Sequence, residues 1–268
     1  MNGKRPNTML IETHAHLTFD RFDEDREAVI ERAFEKGVGK IINVATDVES
    51  SKRCIELAEG QDGLFATVGI HPNDSEKLNA AALAKLHELS HHPKVVAIGE
   101  IGMDFYRDTC PPAAQEGAFR EQIRFAKESG LPIVIHNREA GAQIVAVLRS
   151  EGTTDLAGGV FHCFSGDRQM AEAVLELGFH ISFTGNLTFK KSELPRVARA
   201  VPLERLLLET DCPFLSPEPK RGRRNEPANV VYIAEKLAGI KGMAFSEIAT
   251  ATTRNANRLF GLGEKDME

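Results

Sequence analysis

The chain alternates between short apolar runs and longer amphipathic stretches. The short runs have the length of buried strands, and the stretches between them repeat their apolar residues with the period of a helix. The predicted strands span residues 10–17, 40–45, 64–70, 95–103, 132–136, 159–164, 180–184 and 206–210. The predicted helices span residues 24–36, 49–59, 80–90, 113–129, 139–150, 168–177, 192–200 and 228–238, with an extra C-terminal helix over residues 245–260.

Eight strand-then-helix units without a long linker are typical of a closed parallel barrel. We therefore expect an α/β fold of the (β/α)8 TIM-barrel class. A doubly wound open sheet has the same period and stays open as an alternative. No GxGxxG or GxxxxGK[ST] motif follows the first strand, which disfavours the nucleotide-binding versions of that sheet. We expect one domain over residues 10–262, with polar tails at residues 1–9 and 263–268.

Titratable and metal-capable side chains recur at one end of the predicted strands. In a (β/α)8 barrel the active site is assembled at the carboxyl ends of the strands. The candidates are His14 and His16 at the end of strand one, His71 after strand three, Glu100 late in strand four, His136 at the end of strand five, His162 near the end of strand six and Asp211 after strand eight. Core packing has no reason to produce that arrangement, so we predict an active site there.

These residue types indicate a metal centre. Four imidazoles and two carboxylates exceed the ligand set of one tetrahedral zinc and suit two divalent ions, with Mg²⁺, Mn²⁺, Zn²⁺ and Ni²⁺ all compatible. The predicted partition places His14, His16 and Asp211 on one ion and His136 and His162 on the other, with Glu100 as the bridge. Two ions can lower the pKa of a shared water and hold substrate oxygens, which predicts metal-assisted hydrolysis. Asp211 is the candidate for orienting that water or carrying its proton.

Strand alternation predicts which residues support the site. If the candidate ligands of strands one and eight face the barrel interior, Glu12 and Glu209 lie one layer deeper on the same side. Buried carboxylates are costly unless they are paired, and orienting the imidazoles would pair them. The same alternation predicts that Cys163 packs outward. Two roles are possible for Asp104: supporting a metal ligand or capping a loop.

Composition limits the partners and the location. The formal net charge of −6 argues against a broad non-specific nucleic-acid surface, although a bound metal pair would still bring positive charge to such a substrate. The four cysteines form no CxxC pair, which favours free thiols. No apolar segment approaches the roughly 20 residues that cross a bilayer, and the first residues are polar, so we expect a cytoplasmic protein without a membrane partner. Two basic segments could either contact substrate phosphates or be solvated loops. They are the run from Lys220 to Arg224 and the pair Lys190 and Lys191.

Seven short motifs follow one another along nearly the whole chain. They are Thr13-His14-Ala15-His16-Leu17, Gly69-Ile70-His71-Pro72, Gly99-Glu100-Ile101-Gly102-Met103-Asp104, Ile135-His136, Phe161-His162-Cys163-Phe164-Ser165-Gly166, Glu209-Thr210-Asp211-Cys212-Pro213 and Arg224-Asn225-Glu226-Pro227. Together they resemble the TatD family of metal-dependent hydrolases. The resemblance implies a TIM barrel of the amidohydrolase superfamily and a divalent-metal-dependent deoxyribonuclease, often exonucleolytic. It implies the six ligands named above.

The resemblance also bears on three further positions. His71, in the Gly-Ile-His-Pro motif, is implied to face the substrate near the metals, with a catalytic or binding role. Many members carry Asp where this sequence has Glu12, which lengthens the side chain beneath the paired histidines. No lysine ends strand four, so Glu100 takes the bridging place that a carboxylated lysine has in some amidohydrolase relatives.

The sequence is compatible with three functions. The leading hypothesis is a phosphodiesterase that acts on DNA ends, with DNA or a nucleotide phosphodiester as substrate and no obligate protein partner. The first alternative is a hydrolase of a small amide, lactone or ester that uses the same ions. The second is a non-catalytic metal-binding barrel.

Overall fold

The computed structural model describes residues 9–107 and 109–263. Within them, one parallel sheet follows the sequence order. Its strands are β1 (Leu10–Ala15), β2 (Val38–Asn43), β3 (Leu64–Val68), β4 (Val95–Asp104), β5 (Ile133–Arg138), β6 (Gly159–Phe161), β7 (His180–Phe183) and β8 (Leu206–Leu208). The helices are α1 (Arg26–Glu35), α2 (Val48–Glu59), α3 (Ala80–Ser90), α4 (Pro112–Ser129), α5 (Gly141–Glu151), α6 (Arg168–Glu176), α7 (Leu194–Ala200), α8 (Val230–Lys241) and α9 (Phe245–Phe260).

The predicted tails, residues 1–9 and 263–268, lie outside the described residues apart from Met9 and Gly263. Across the two described ranges, no helix is both long and apolar enough to span a bilayer. The single-domain organisation and the cytoplasmic location stay predictions.

The sheet closes between its first and last strands. A parallel bridge joins Ala15 to Cys212, which lies just beyond β8. Beside it, the amide of Asp211 donates to the carbonyl of His14 at 3.0 Å. Because β1 meets the segment that follows β8, the (β/α)8 barrel is confirmed and the doubly wound open sheet is wrong.

Most strands end earlier than the hydrophobic pattern predicts. β1, β2, β3, β6 and β8 stop two or three residues before the predicted ends at 17, 45, 70, 164 and 210. The apolar pattern continues, but Cys163 and Asp211 have φ angles of 45° and 55°, a left-handed conformation that cannot extend a strand. The chain therefore turns at the carboxyl end of the barrel, and these turns carry candidate site residues.

Side-chain caps start three of the helices that follow those turns. Asp47, Asn79 and Asp167 each accept the backbone amide three residues further on, at 2.8, 3.0 and 2.8 Å. Each cap satisfies an amide that has no partner within the first helical turn. The caps fix the loops that join β2, β3 and β6 to their helices.

Apolar side chains pack in two separate layers. The larger layer lies between the strands and the surrounding helices. The smaller layer fills the barrel interior toward the amino ends of the strands and includes Ile42, Val134 and Val160. Leu259 and Phe260, at the end of α9, belong to the same cluster, so this helix covers the amino-end opening. Apart from His180, the interior is mainly apolar at that end, and the candidate site residues gather at the other.

His180 brings a titratable ring into this amino-end layer. It begins β7, and its neighbour Ile181 packs in the outer layer, so alternation points His180 inward. The residue is 8% exposed. Burial, with the charges of Arg205 and Arg258, lowers the pKa of His180 to about 4. The ring is therefore neutral in the folded protein at neutral pH.

His180 therefore makes the free energy of unfolding depend on pH. Its folded pKa lies below the unfolded value of about 6.5, so its contribution is complete above pH 6.5 and is lost as the pH falls toward 4. Between pH 8 and pH 5 we expect the parent protein to lose about 2 kcal/mol more stability than His180→Gln. Urea unfolding of metal-free protein at both pH values measures this difference. Equal losses in the two proteins would contradict a buried neutral His180.

Candidate metal centre

The carboxyl ends of the strands surround a cavity of about 830 Å³. The predicted site residues that line it are His16, His71, Glu100, His136, His162 and Asp211. The seventh, His14, is fully buried, with Nε2 3.4 Å from Oε2 of Glu100. The structure thus brings all seven predicted residues together at one end of the barrel.

Glu100, on β4, lies at the middle of the cluster. Its Oε2 is 3.4 Å from Nε2 of His14 and 3.7 Å from Nε2 of His16. Its Oε1 is 2.5 Å from Nδ1 of His136 and 2.7 Å from Nε2 of His162. The two carboxylate oxygens therefore divide the four imidazoles into the same two pairs that the sequence predicts.

Asp211 faces the first pair and is ionised together with Glu100. Its Oδ1 lies 3.5 Å from Nε2 of His16 and 3.9 Å from Nε2 of His14. Burial opposes ionisation, but contacts with His16 and His14 keep the pKa of Asp211 below its usual value. Burial likewise opposes ionisation of Glu100, whose pKa is held well below its usual range mainly by the charge of His162. Two carboxylates thus remain charged in a buried site.

Acceptor oxygens lie behind the imidazoles of His16 and His162. Nδ1 of His16 donates to the carbonyl of Val44 at 3.0 Å. Nδ1 of His162 lies 3.3 Å from Oε1 of Glu209. With these acceptors beside Nδ1, Nε2 of each ring is the atom left to bind a proton or a metal ion, and both Nε2 atoms point toward Glu100. Backing of this kind is what metal-binding imidazoles have in proteins.

Asp104 combines the two roles that the sequence leaves open. Its Oδ2 lies 3.4 Å from Nε2 of His136, and its Oδ1 accepts the amides of Tyr106 and Arg107 at 3.0 Å each. Burial would raise the pKa of Asp104, but these contacts lower it to about 2. The carboxylate therefore backs an imidazole and shapes the loop after β4.

The imidazole nitrogens and carboxylate oxygens that converge in this cluster need positive charge between them. Nε2 of His14 lies 3.2 Å from Nε2 of His16, and the free electron pairs repel unless a proton or a cation separates them. Nδ1 of His14 is buried and has no hydrogen-bond partner among the described residues. Three overlapping groups have ligand atoms within 4.8 Å of one another: His14, His16 and Glu100; His14, His162 and Asp211; His71, Glu100 and His136. Imidazole nitrogens with carboxylate oxygens fit a divalent transition metal.

His71 presents a proton to the cavity. Burial lowers its pKa to about 3, so the ring is neutral. Nδ1 accepts the amide of Asn73 at 3.1 Å, which places the proton on Nε2. That atom lies 3.7 Å from Oε1 of Glu100 and 3.3 Å from Nδ1 of His136. His71 is arranged as a hydrogen-bond donor, which agrees with the substrate-facing role that the resemblance implies.

Glu12 and Glu209 support the site in different ways. Glu209 backs an imidazole, as alternation predicts. The prediction that Glu12 does the same is wrong, because its Oε1 accepts the amides of His14 and Thr210 at 3.1 and 2.8 Å. The β1–β2 register shifts between Glu12 and Ala15, so simple alternation fails there. Glu12 instead joins the backbones on either side of the barrel closure, and burial raises its pKa well above the usual value.

The prediction that Cys163 packs outward is also wrong, because this residue lines the cavity. β6 has ended two residues earlier, and the left-handed φ of 45° reverses the direction that alternation gives. The amide of Cys163 donates to Oε1 of Glu209 at 2.6 Å, which holds the turn in place.

Two buried glutamines on α4 hold the loops after β3 and β4. Gln122 bonds both the amide and the carbonyl of Ile70, at 2.7 and 3.0 Å. Gln115 bonds both the amide and the carbonyl of Asp104, at 2.8 and 3.0 Å. Each loop therefore has a fixed backbone immediately beside the site.

The basic run at residues 220–224 contacts the fold and not the cavity. Arg224 donates to both carboxylate oxygens of Asp25, at 2.8 and 2.6 Å. The guanidinium of Arg221 lies 3.9 Å from the ring centre of Phe189. None of these five residues, all within the described ranges, lines the central cavity. Lys191 lines a separate groove of about 640 Å³ beside it.

Among the cavity-lining residues that the sequence reasoning missed are two aromatic and two cationic ones: Phe19, Phe214, Arg107 and Arg138. Phe19 follows His16 by three residues, and Phe214 follows Asp211 by three residues. Loops at the carboxyl ends of barrel strands form the active-site wall, so this position just after a ligand is the signal that identifies the two phenylalanines.

Removing the Glu12 side chain is expected to destabilise the barrel closure. Glu12→Ala leaves the amides of His14 and Thr210 buried without an acceptor, which should cost about 2–4 kcal/mol. Glu12→Gln keeps the accepting oxygen and resembles the neutral carboxyl, so we expect a change below about 1 kcal/mol. Urea unfolding measures both. A Gln variant as unstable as the Ala variant would show that the charge, and not the accepted amides, holds the seam.

Several known proteins are similar to this chain over most of its length. The sequence profile described as "TatD related DNase" matches residues 11–261. The chain is 47% identical over 253 residues to the uncharacterized metal-dependent hydrolase YabD of Bacillus subtilis, covering 94% of this chain and 99% of that one. It is 38% identical over 264 residues to a Rahnella protein named 3'-5' ssDNA/RNA exonuclease TatD, covering 96% and 100%. The crystal structure of YjjV, a TatD homologue from Escherichia coli K12, is 34% identical with a TM-score of 0.91, covering 96% and 100%. The chain therefore belongs to the TatD-related DNase family of metal-dependent hydrolases.

Proposed function

We propose that this chain is a divalent-metal-dependent exonuclease that hydrolyses phosphodiester bonds at the ends of single-stranded DNA. The observation that carries the proposal is the division of four imidazoles by the two oxygens of Glu100. The name of the Rahnella relative, a 3'-5' ssDNA/RNA exonuclease, supports the substrate class and the direction of cutting.

The proposed metal ligands follow from the distances. His14, His16 and Asp211 would hold one ion, His136 and His162 would hold the other, and Glu100 would serve both. The oxygens behind three of the rings support this assignment: the Val44 carbonyl accepts from His16, and carboxylate oxygens of Asp104 and Glu209 lie 3.4 and 3.3 Å from the rear nitrogens of His136 and His162. Metal identity is compatible with Mg²⁺, Mn²⁺, Zn²⁺ or Ni²⁺.

The side chains around the centre have distinct tasks. When bound, two divalent ions lower the pKa of a water and neutralise charge on the phosphate. The Asp211 carboxylate lines the cavity and is placed to orient that water and accept its proton. His71 is placed to donate its Nε2 proton to a phosphate oxygen. Arg107 and Arg138 line the cavity and attract the backbone phosphates.

Two other functions could use the same centre. A hydrolase of a small amide, lactone or ester needs no cationic wall, whereas Arg107 and Arg138 favour a phosphate group. An activity panel of cyclic amides, lactones and phosphodiesters separates these substrate classes. A non-catalytic barrel would show no turnover with any of them, and Asp211→Ala would leave every measured property unchanged.

Metal content tests the ligand assignment. We expect about two equivalents of Mn²⁺ or Zn²⁺ per parent chain by elemental analysis, and about one in His16→Ala or His136→Ala. Glu100→Ala should lose most of both, because each ion loses a ligand. His91→Ala is the matched control, since this exposed ring bonds the carbonyl of His87 at a helix end and should leave both ions in place. A full complement in His16→Ala and His136→Ala would overturn the assignment.

Exonuclease activity tests the reaction itself. With Mg²⁺ or Mn²⁺ we expect stepwise shortening of a single-stranded oligonucleotide from its 3′ end, and EDTA should abolish it. Asp211→Asn keeps the size of the side chain but weakens it as a base and a ligand, so kcat should fall about 100-fold or more. Labelling either end of the oligonucleotide reports the direction of cutting.

The same His91→Ala variant should cut at the parent rate, and thermal unfolding should show that Asp211→Asn is folded. Cleavage that persists in EDTA, or an Asp211→Asn enzyme with the kcat of the parent, would contradict the proposed reaction.

A further inference from the structure

Exposed apolar side chains concentrate at the cavity end of the barrel. Among the described residues, the large hydrophobic side chains that remain exposed are Met9, Phe105, Tyr106 and Phe214. Three of them follow β4 or β8 at the carboxyl end, and Met9 precedes β1 at the opposite end. Single exposed apolar residues are ordinary, but Phe214 also lines the cavity, which singles it out from the other three.

Phe214 ends an aromatic wall that begins at a proposed metal ligand. The ring of Phe19 stacks on His16, with centres 4.6 Å apart and an interplanar angle of 14°. Phe214 meets Phe19 edge-on at 6.2 Å and lies 6.4 Å from His16. Phe214 is 41% exposed and lines the cavity, so one face of the wall is open beside the centre.

The backbone holds Phe214 in this position. Its amide donates to the carbonyl of Asp211 at 2.9 Å, and its carbonyl accepts Nδ2 of the buried Asn225 at 2.6 Å. The ring is therefore presented from a fixed turn, and a ligand that binds it need not order that turn.

The opposite wall is cationic. Arg107 and Arg138 line the cavity from the loop after β4 and the end of β5, which lie across the barrel from β1 and β8 in the strand order. The guanidinium of Arg138 also lies 4.0 Å from the ring centre of Tyr106. The mouth thus has an aromatic side and a positively charged side, with the proposed metal ligands between them.

We propose that Phe214 binds the base of the terminal nucleotide of the substrate by stacking, with Phe19 forming the second side of that subsite. The sugar–phosphate backbone then lies toward Arg107 and Arg138, and the bond to be cut lies over the centre. This inference rests on the proposed exonuclease function. A base in a duplex is paired and stacked already, so the subsite selects single-stranded ends, and it tolerates any sequence because every base has a stacking face.

The test is a double-mutant cycle in which one change is Phe214→Ala in the protein and the other is removal of the terminal base from the substrate. The rate of the first cleavage is measured on a single-stranded oligonucleotide and on the same oligonucleotide with an abasic terminal nucleotide. We expect Phe214→Ala to raise KM about 5- to 150-fold on the complete oligonucleotide. The abasic end should raise the KM of the parent by a similar factor and have no further effect in the variant. On the abasic oligonucleotide, kcat should be the same in both proteins.

Two controls separate stacking from a general disturbance. Phe214→Trp keeps an aromatic face and should retain the parent KM within about threefold. Met9→Ala removes another exposed apolar side chain, at the far end of the barrel, and should leave KM and kcat unchanged on both oligonucleotides. A KM that rises equally on complete and abasic oligonucleotides in Phe214→Ala would overturn the subsite. A parent that cuts no single-stranded DNA would instead overturn the proposed function and the subsite with it.

Discussion

The Glu100 carboxylate is the interaction on which the rest of the site depends. It is a buried anion whose oxygens each face a pair of imidazoles. A buried charge is costly without compensation, so the cluster is stable only with protons or cations between its atoms. The proposed divalent ions would meet the same electrostatic demand that makes the arrangement costly for folding. Around it, backing acceptors and buried glutamines fix ring and loop positions that the charges alone would not determine.

The barrel separates two environments along its axis. The amino-end half of the interior is apolar apart from His180 and is covered by the end of α9. The carboxyl-end half holds charged and hydrogen-bonding groups that open to the cavity. Residues needed for chemistry therefore do not interrupt the packing that holds the strands together, and loop differences at one end can alter recognition without repacking the other.

Much of this organisation could be predicted from the sequence, because it follows from periodicity and from where polar residues interrupt it. The final helix and the convergence of His136, His162 and Asp211 were predictable in this way. Side-chain directions were not predictable where the backbone leaves its regular form, as the register shift near Glu12 and the left-handed Cys163 show. Periodicity carries no information about loop geometry, since that depends on tertiary contacts. For that reason the aromatic and cationic walls of the mouth emerge only from the structure.

The position of the barrel closure implies that the proposed metal would also stabilise the fold. The amide of Asp211 bonds the carbonyl of His14, so the backbone seam between the first strand and the segment after the last runs through two proposed ligands. An ion held by His14, His16 and Asp211 joins parts of the chain that are far apart in sequence, much as a disulfide does. Because such an ion would bind the folded seam and not the unfolded chain, its binding free energy would add to the free energy of unfolding. Metal binding and closure of the barrel would then be thermodynamically coupled.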